Sequence, residues 1–208
     1  MQTENPGAGN HISLFGKIAS EIAFSHDVYG ESFYSFDLLV PRLSDVYDLL
    51  PITISERIMD ADRFVPDNHV AISGQIRSYN NYIEEERRNR LVLTVFAKDF
   101  EFKDEINKIN PNEAFLDGYI CKPPIYRTTP FGREICDMLL AVNRSYNKSD
   151  YIPCITWGRN ARFGSKLAVG DNVKLWGRMQ SRIYQKKLEN GDVLDKTAFE
   201  VSVSKLEQ

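Results

Sequence analysis

The stretch that decides the fold is Asn112–Ile120, NEAFLDGYI, which has a second copy at Asn10–Ile18, NHISLFGKI. The two copies are 102 residues apart. The same offset aligns residues 10–54 with residues 112–156 at ten identical positions without a gap. These identities include glycines, aliphatic residues and one proline, which are residues that shape strands and turns. The chain is therefore predicted to be an internal duplication.

The match continues beyond this region with an offset of 103, which pairs Gly74 with Gly177. Each unit is then about half of the 208-residue chain. We place the boundary in the charged stretch of residues 104–111. The prediction is an N-terminal domain of residues 1–108 and a C-terminal domain of residues 109–208.

The pattern within each unit is mainly β. In the C-terminal unit Leu116, Gly118 and Ile120 alternate with Asp117 and Tyr119, which is the period of a strand. The other predicted strands of this unit are 133–144, 151–158, 172–182 and 197–205, with a short helix at 160–168. In the N-terminal unit we predict a helix from Ile54 to about Phe64, followed by strands at 69–78 and 90–98. This order predicts two tandem five-stranded Greek-key barrels of the oligonucleotide-binding (OB) fold, each with one short helix between strands three and four.

Charge is divided unevenly between the two units. Residues 1–108 carry 11 Lys and Arg against 18 Asp and Glu, whereas residues 109–208 carry 15 against 11. The net charge of −3 hides this difference. The split indicates two domains with different partners.

Composition excludes several classes of protein. With 42% hydrophobic and 26% charged residues, the chain has the composition of a folded domain rather than a disordered one. Its apolar stretches are too short to cross a bilayer, and its first residues lack the features of a secretory signal. Three widely spaced cysteines favour a reducing compartment over a disulfide framework. We therefore expect a cytoplasmic protein with no membrane partner.

The fourth strand of the C-terminal unit presents cations and an aromatic ring on one face. Lys174, Trp176, Arg178 and Arg182 alternate with residues that face the core. Single-stranded nucleic acid needs cations for its phosphates and flat rings for its bases. The alternative is a solvated outer face that happens to hold one tryptophan.

Further rings beside cations lie on neighbouring segments. In the C-terminal unit they are Tyr151 and Trp157 on strand three, Tyr184 with Lys186 and Lys187 after strand four, and Tyr146 with Arg144 and Lys148 before strand three. The N-terminal unit has fewer, namely Arg77, Tyr79 and Tyr82, with three glutamates close by. The C-terminal unit is therefore predicted to bind the single strand. The N-terminal unit is predicted to bind more weakly or to supply a pairing surface.

No pattern of catalytic residues is present. The three histidines lie at no ligand spacing, and the chain has neither a phosphate-binding loop nor a nucleophile motif. We predict no enzyme activity, no small-molecule substrate, no cofactor and no metal site.

The C-terminal unit resembles bacterial single-stranded DNA-binding proteins over nearly its full length. The motifs that carry this resemblance are Gly132-Arg133, Leu140-Ala-Val-Asn-Arg144, Asp150-Tyr-Ile-Pro153, Trp157-Gly-Arg-Asn-Ala161 and Val173-x-Leu-Trp-Gly-Arg-Met-Gln-Ser-Arg182-x-Tyr184. The N-terminal unit resembles the family more faintly.

The resemblance implies a function and a set of site residues. Bases would stack on Tyr151, Trp157, Tyr184 and the loop near Tyr146, and the basic residues of the motifs, such as Arg133 and Arg159, would join the site. Binding would be largely independent of sequence and would serve DNA replication, repair and recombination at the nucleoid. Two barrels per chain would give the family's four-barrel assembly as a homodimer. The chain ends soon after Lys205, so recruitment of enzymes by the family's acidic tail is not implied.

Two other interpretations stay open. A duplicated OB fold could be a protein-interaction scaffold in a replication-restart or mobile-element complex, which the acidic N-terminal unit favours. A single-stranded RNA ligand is also compatible, because OB folds accept RNA.

Overall fold

This computed structural model describes residues 9–44, 46–83, 88–103, 110–187 and 191–208. Of residues 61, 83, 88, 89, 186 and 187 it describes the backbone alone. The boundary predicted within residues 104–111 falls largely outside the described residues. The first barrel (barrel 1) contains β1 (Asn10–Ile18), β2 (Ala23–Val28), β3 (Glu31–Pro41), β4 (Tyr47–Ser55), β5 (His69–Ile83) and β6 (Arg88–Lys103). The second (barrel 2) contains β7 (Asn112–Ile120), β8 (Ile125–Thr128), β9 (Glu134–Arg144), β10 (Lys148–Trp157), α1 (Arg159–Gly164), β11 (Asn172–Lys187) and β12 (Val193–Glu207).

Both barrels close in the same way, which confirms the prediction of two tandem OB folds. In barrel 1, β1 pairs with β3 and β5, and β4 runs parallel to β6. In barrel 2, β7 pairs with β9 and β11, and β10 runs parallel to β12. The pairing of Lys17 with Leu39 recurs as Tyr119 with Ala141, at the offset of 102 found in the sequence.

The barrels are joined edge to edge by their first strands. β1 and β7 pair antiparallel, and Ile12 lies opposite Ala114, its counterpart in the duplication. Asn10 lies opposite Leu116, and Leu14 lies opposite Asn112. This exchange of equivalent positions means that a local two-fold axis relates the barrels. We call the β1–β7 pairing the seam.

Two asparagines conserved between the repeats have matching roles beside the seam. The side chain of Asn10 accepts a hydrogen bond from the Ile76 backbone N–H (2.9 Å) and donates to the Ile76 carbonyl (2.7 Å). Asn112 does the same at Met179, at 3.0 and 2.6 Å. Both side chains are buried. Each amide therefore acts as an extra peptide group in the sheet, which satisfies backbone groups that burial would otherwise leave unpaired.

Glycines in β5 and β11 allow a close approach to the neighbouring strands β6 and β12. Register shifts occur between Ser73 and Gly74 and between Trp176 and Gly177. A Cβ atom at Gly177 would overlap the carbonyl oxygen of Ser202 on β12. The glycines therefore permit the bulges that bend these strands around the barrel.

The helix predicted in barrel 1 differs from the structure. Instead of a helix from Ile54 to about Phe64, two 3₁₀ turns form at Glu56–Ile58 and Ala61–Arg63. Met59, which follows the first turn, is extended. Consecutive residues of a helix point about 100° apart, whereas the extended Met59 allows both Ile58 and Met59 to pack against the core. Barrel 2 has the predicted helix, α1, with Ala161 and Gly164 buried one turn apart.

Two strands, β2 and β8, were not predicted. Both are short and exposed throughout, and they pair antiparallel with β3 and β9 respectively. Exposure on both faces removes the alternation of apolar and polar residues that sequence patterns detect. Among the described residues, no helix has the length and apolar character needed to cross a membrane.

Candidate nucleic-acid interface

Tyr151 lies on the outer face of barrel 2 beside a ring that sequence reasoning missed. Tyr151 pairs with Ala141, and Ala141 pairs with Tyr119 on the other side. Directly paired residues of antiparallel strands point to the same face. The two tyrosines therefore flank a small residue, and they are 44% and 45% exposed. Strand alternation alone placed Tyr119 outward, but no cation beside it drew attention to it.

Trp157 ends β10 and is 40% exposed. It pairs with Ile135, which pairs in turn with Arg127 of β8. Arg127 was not predicted as a site residue, because no strand was predicted at β8. Its guanidinium donates to Asp137 at 2.8 Å, and this hydrogen bond raises the pKa of Arg127.

The turn between β8 and β9 adds exposed groups near this end of the barrel. Phe131, which sequence reasoning also missed, is 92% exposed, and Arg133 beside it is exposed. Arg159, the first residue of α1, is exposed as well. The predicted residues Arg133 and Arg159 are therefore accessible to a ligand.

Tyr146 lies at the tip of the connection between β9 and β10. Its side chain is 93% exposed, and its backbone has φ of +62°, in the left-handed region that large side chains rarely adopt. Such outliers are often found at functional sites. Lys148 starts the following strand and is exposed. The tip thus presents a ring and a cation together.

Tyr184 is half-buried on the extended end of β11, with the Arg182 guanidinium 6.0 Å from its ring centre. Arg182 also donates to the buried carboxylate of Glu200 at 3.3 Å. The ring and the cation are therefore held together by contacts within the strand pair. The side chains of Lys186 and Lys187 lie outside the part of the structure that is described.

Trp176, which was expected to present a free ring to a ligand, packs against other side chains of the protein. Its indole packs on Phe115, with ring centres 5.1 Å apart, and the ammonium of Lys205 lies 4.3 Å from its ring centre. It lines a pocket of about 480 Å³ beside the seam that also includes His11. Lys174, on the same face, lies 3.9 Å from the carboxylate of Asp117. We therefore leave Trp176 out of the proposed stacking residues.

Three predicted arginines are engaged in ion pairs at the interface of the barrels, and two of them, Arg77 and Arg178, pair across it. Arg77 of barrel 1 and Arg144 of barrel 2 both bind Asp150, at 2.9 and 3.2 Å. Arg178 of barrel 2 binds Asp48 of barrel 1 at 3.1 Å. Buried carboxylates thus hold these three cations at the barrel interface, and their contact with a ligand stays a prediction.

The ion pair at Asp48 contains a second arginine, Arg42, at 2.6 Å. The hydrogen bond to Asp48 raises the pKa of Arg42. Burial, together with the charge of Arg42, lowers the pKa of Arg178. Two guanidiniums thus share one carboxylate.

Barrel 1 also contains a groove on its outer face, of about 1010 Å³. It is lined by Tyr79, and by Phe33, whose ring stacks on His26 with centres 5.1 Å apart. Carboxylates of Glu21 and Asp37 line it too, and burial raises the pKa of Asp37. Arg77 and Arg144 line it as well, but both are paired with Asp150. Carboxylates repel phosphate, so this groove is less suited to a nucleic-acid backbone than barrel 2.

Tyr82 lies near the tip of the β5–β6 hairpin of barrel 1 and is 57% exposed, like Tyr79 at 54%. Within the described ranges, no three or more His, Cys, Asp or Glu side chains converge to hold a metal ion.

Known proteins with similar sequences or folds include single-stranded DNA-binding proteins. The model of the single-strand binding protein family matches residues 111–208, which cover barrel 2. The chain is 36% identical to single-stranded DNA-binding protein 1 of Staphylococcus aureus (strain COL) over 81 residues, which are 36% of this chain and 48% of that protein. It is 32% identical to single-stranded DNA-binding protein B of Bacillus subtilis (strain 168) over 81 residues, which are 72% of that protein.

The chain thus spans about half the length of the Staphylococcus relative. The fold of both barrels together resembles the crystal structure of the wild-type single-stranded DNA binding protein from Thermus aquaticus. That likeness has a TM-score of 0.75 at 18% identity and covers 96% of this chain and 92% of the other. From the family match across barrel 2 and the extent of the Bacillus relative covered, the chain belongs to the single-strand binding protein family.

Proposed function

We propose that the chain binds single-stranded DNA without catalysis and with little sequence preference, mainly through barrel 2. The observation that carries the proposal is the set of exposed rings on barrel 2, beside Lys148 and Arg182, in the part of the chain that the family model matches. These rings are Tyr119, Tyr146, Tyr151 and Trp157, with the half-buried Tyr184. Stacking is tolerant of sequence because every base has a π-face.

The family membership supports a role in protecting single strands during replication, repair and recombination, in the cytoplasm at the nucleoid. In this proposal residues 109–208 form the binding domain, and residues 1–108 form a domain with a supporting role. The scaffold interpretation does not account for a barrel that keeps its rings exposed.

The test is a titration with oligo-dT followed by tryptophan fluorescence, at low and high salt. Trp176→Phe leaves Trp157 as the reporter, and Trp157→Phe is the matched control with Trp176 as reporter. We expect strong quenching in Trp176→Phe, weak quenching in Trp157→Phe, and affinity that falls steeply with salt. Trp157→Ala should cost about 1–3 kcal/mol of affinity if one base loses its stacking partner.

A duplex of the same length and an oligo-rU strand serve as competitors. The absence of binding to oligo-dT at low salt, or equal binding to the duplex, would contradict the proposal. Stronger competition by oligo-rU would reassign the ligand to RNA.

We further propose that two chains associate into a four-barrel homodimer, because each chain supplies two barrels of a family that commonly uses four. Sedimentation velocity should give twice the 23.9 kDa chain mass. A monomer at micromolar concentration, with or without oligo-dT, would contradict the dimer.

A further inference from the structure

Asp150 lies on β10, the strand of barrel 2 that carries Tyr151, and is bound by residues of barrel 1. Its carboxylate is 1% exposed. It accepts hydrogen bonds from the guanidinium of Arg77 (2.9 Å) and the backbone N–H of Ser78 (2.8 Å), both on β5 of barrel 1. Arg144 of barrel 2 completes the set at 3.2 Å. We call this group the Asp150 clamp.

The next residue along β10, Tyr151, is held by the same strand of barrel 1. Its backbone N–H donates to the Ser78 hydroxyl at 2.7 Å. Side chains alternate along a strand, so Asp150 points inward while the Tyr151 ring points outward. Two consecutive residues of β10 are therefore fixed by two consecutive residues of β5, and the exposed ring is attached to the fixed backbone.

A second clamp, related by the local two-fold axis, centres on Asp48 of barrel 1. It accepts from Arg178 (3.1 Å) and from the backbone N–H of Ser181 (2.8 Å), both on β11. Ser181 directly precedes Arg182, whose guanidinium lies over the Tyr184 ring. Through the two clamps, barrel 1 thus contacts β10 and β11, two of the strands of barrel 2 that carry proposed stacking rings.

The duplication keeps the clamp while exchanging its parts. At the offset of 103, Arg77 aligns with Gln180 and Gln75 aligns with Arg178. In each pair the arginine reaches the aspartate of the other barrel and also donates to the glutamine, at 2.5 Å in barrel 1 and 2.9 Å in barrel 2. The same bond network therefore survives a swap of the two residue types, which favours a requirement for the clamp itself.

We infer that Arg77 and Ser78 of barrel 1 are positioning residues that hold Tyr151 of barrel 2 in its stacking position. This inference rests on the proposed function. It gives barrel 1 a part in the binding site even where its own surface is acidic. It also assigns Arg77 to Asp150 rather than to a phosphate, because leaving Asp150 would take away one of the two guanidiniums that neutralise this buried carboxylate.

The experiment measures affinity for oligo-dT across a salt series for the wild type, Arg77→Gln, Ser78→Ala and Tyr151→Ala. If Arg77 positions Tyr151, Arg77→Gln should weaken binding about threefold or more at every salt concentration with the salt slope unchanged. A direct phosphate contact would instead lower the slope by about 0.7. Arg63→Gln is the matched control, because this arginine of barrel 1 lies over Phe102, away from both clamps; its affinity should equal that of the wild type.

Double variants test whether the effect passes through the ring. Ser78→Ala should weaken binding in the wild type and have no further effect in Tyr151→Ala. A lowered salt slope, additive effects of the two substitutions, or unchanged affinity in both clamp variants would overturn the inference.

Hydrogen exchange of the Tyr151 amide gives a measurement without DNA. Ser78→Ala changes only a hydroxyl, and it should speed that exchange while leaving amides near Phe102 unchanged. Unchanged exchange at Tyr151 would also overturn the inference. A wild-type protein that fails to bind oligo-dT would overturn the proposed function and this inference together, whereas a binding wild type with unaffected variants would overturn the inference alone.

Discussion

Cys154 shows how the barrel interior acts on a single titratable group. Its side chain is 2% exposed, and Cys136 is completely buried. Burial raises the pKa of both thiols above the ordinary value, because the charged thiolate loses its hydration. Cys121, by contrast, is only half-buried.

The raised pKa predicts a dependence of stability on pH. Below about pH 8.5, where an unfolded thiol is protonated, the two states bind the same number of protons at these residues. Above it the unfolded chain loses a proton that the folded barrel keeps, so the free energy of unfolding falls as pH rises. Between pH 7.5 and 9.5, Cys154→Ala should lose about 1 kcal/mol less stability than the wild type in urea denaturation. Parallel curves for the two proteins would contradict this.

The arginines are the residues whose roles sequence reasoning could not separate. Arg77, Arg144 and Arg182 look alike in sequence, each beside a ring in or near a strand. In the structure the first two are bound to Asp150, and the third lies over Tyr184. Asp150 is 73 residues from Arg77. A local pattern contains no information on a partner so distant, whereas the outward direction of a ring on a strand follows from alternation.

At the scale of elements, hydrophobic periodicity predicted the long strands. It did not predict strands or strand ends that have no buried face. β11 and β12 were predicted from alternating core residues, and the structure extends β11 to Lys187 and starts β12 already at Val193. Their outer ends form a projecting hairpin with few buried residues, so alternation fades there. β8 was missed for the same reason, and with it Arg127 of the candidate site.

The connections β4–β5 and β10–β11 occupy equivalent positions in the two repeats but differ in local structure. The same topological position holds helix α1 in barrel 2 and two 3₁₀ turns in barrel 1. In α1, small residues at Ala161 and Gly164 let the helix approach the core, and Gly164 lies close to Met138. Barrel 1 places the larger Ile58 and Met59 there. Topology was inherited by both units, and side-chain volume decided the local helix type.

At the scale of the whole molecule, the barrels are joined by the seam and by the two clamps. The ion pairs of both clamps use aspartates that are 1% exposed and arginines that are about one quarter to one third exposed. Carboxylates buried to this degree are retained only where several donors satisfy them.

The Asp48 clamp can be tested by stability. Asp48→Asn keeps the shape but leaves the guanidiniums of Arg42 and Arg178 close together without their shared carboxylate. We expect the free energy of unfolding to fall by about 2–3 kcal/mol, below the cost for a fully buried pair because the arginines stay partly hydrated. Urea denaturation measures this.

The matched control is Asp67→Asn, which breaks an exposed pair with Lys17 at 2.8 Å. No measurable change in stability is expected there, since exposed pairs are screened by water. Equal losses in the two variants would show that the Asp48 clamp contributes no more than a surface ion pair.

The sequence by itself determined the duplication, the two β-barrels, the outward rings of barrel 2 and the smaller number of rings beside cations in barrel 1. These features depend on spacing along the chain, because alternation, glycine placement and the offset of 102 residues are all local or repeated patterns. Only the tertiary structure decided that the first strands pair across a two-fold axis, that Trp176 packs on Phe115, and that Arg77 and Arg178 reach aspartates of the opposite barrel. Such contacts depend on distances between segments that the fold brings together, and a charge or a ring carries the same letter whether its partner is a neighbouring barrel or a strand of DNA.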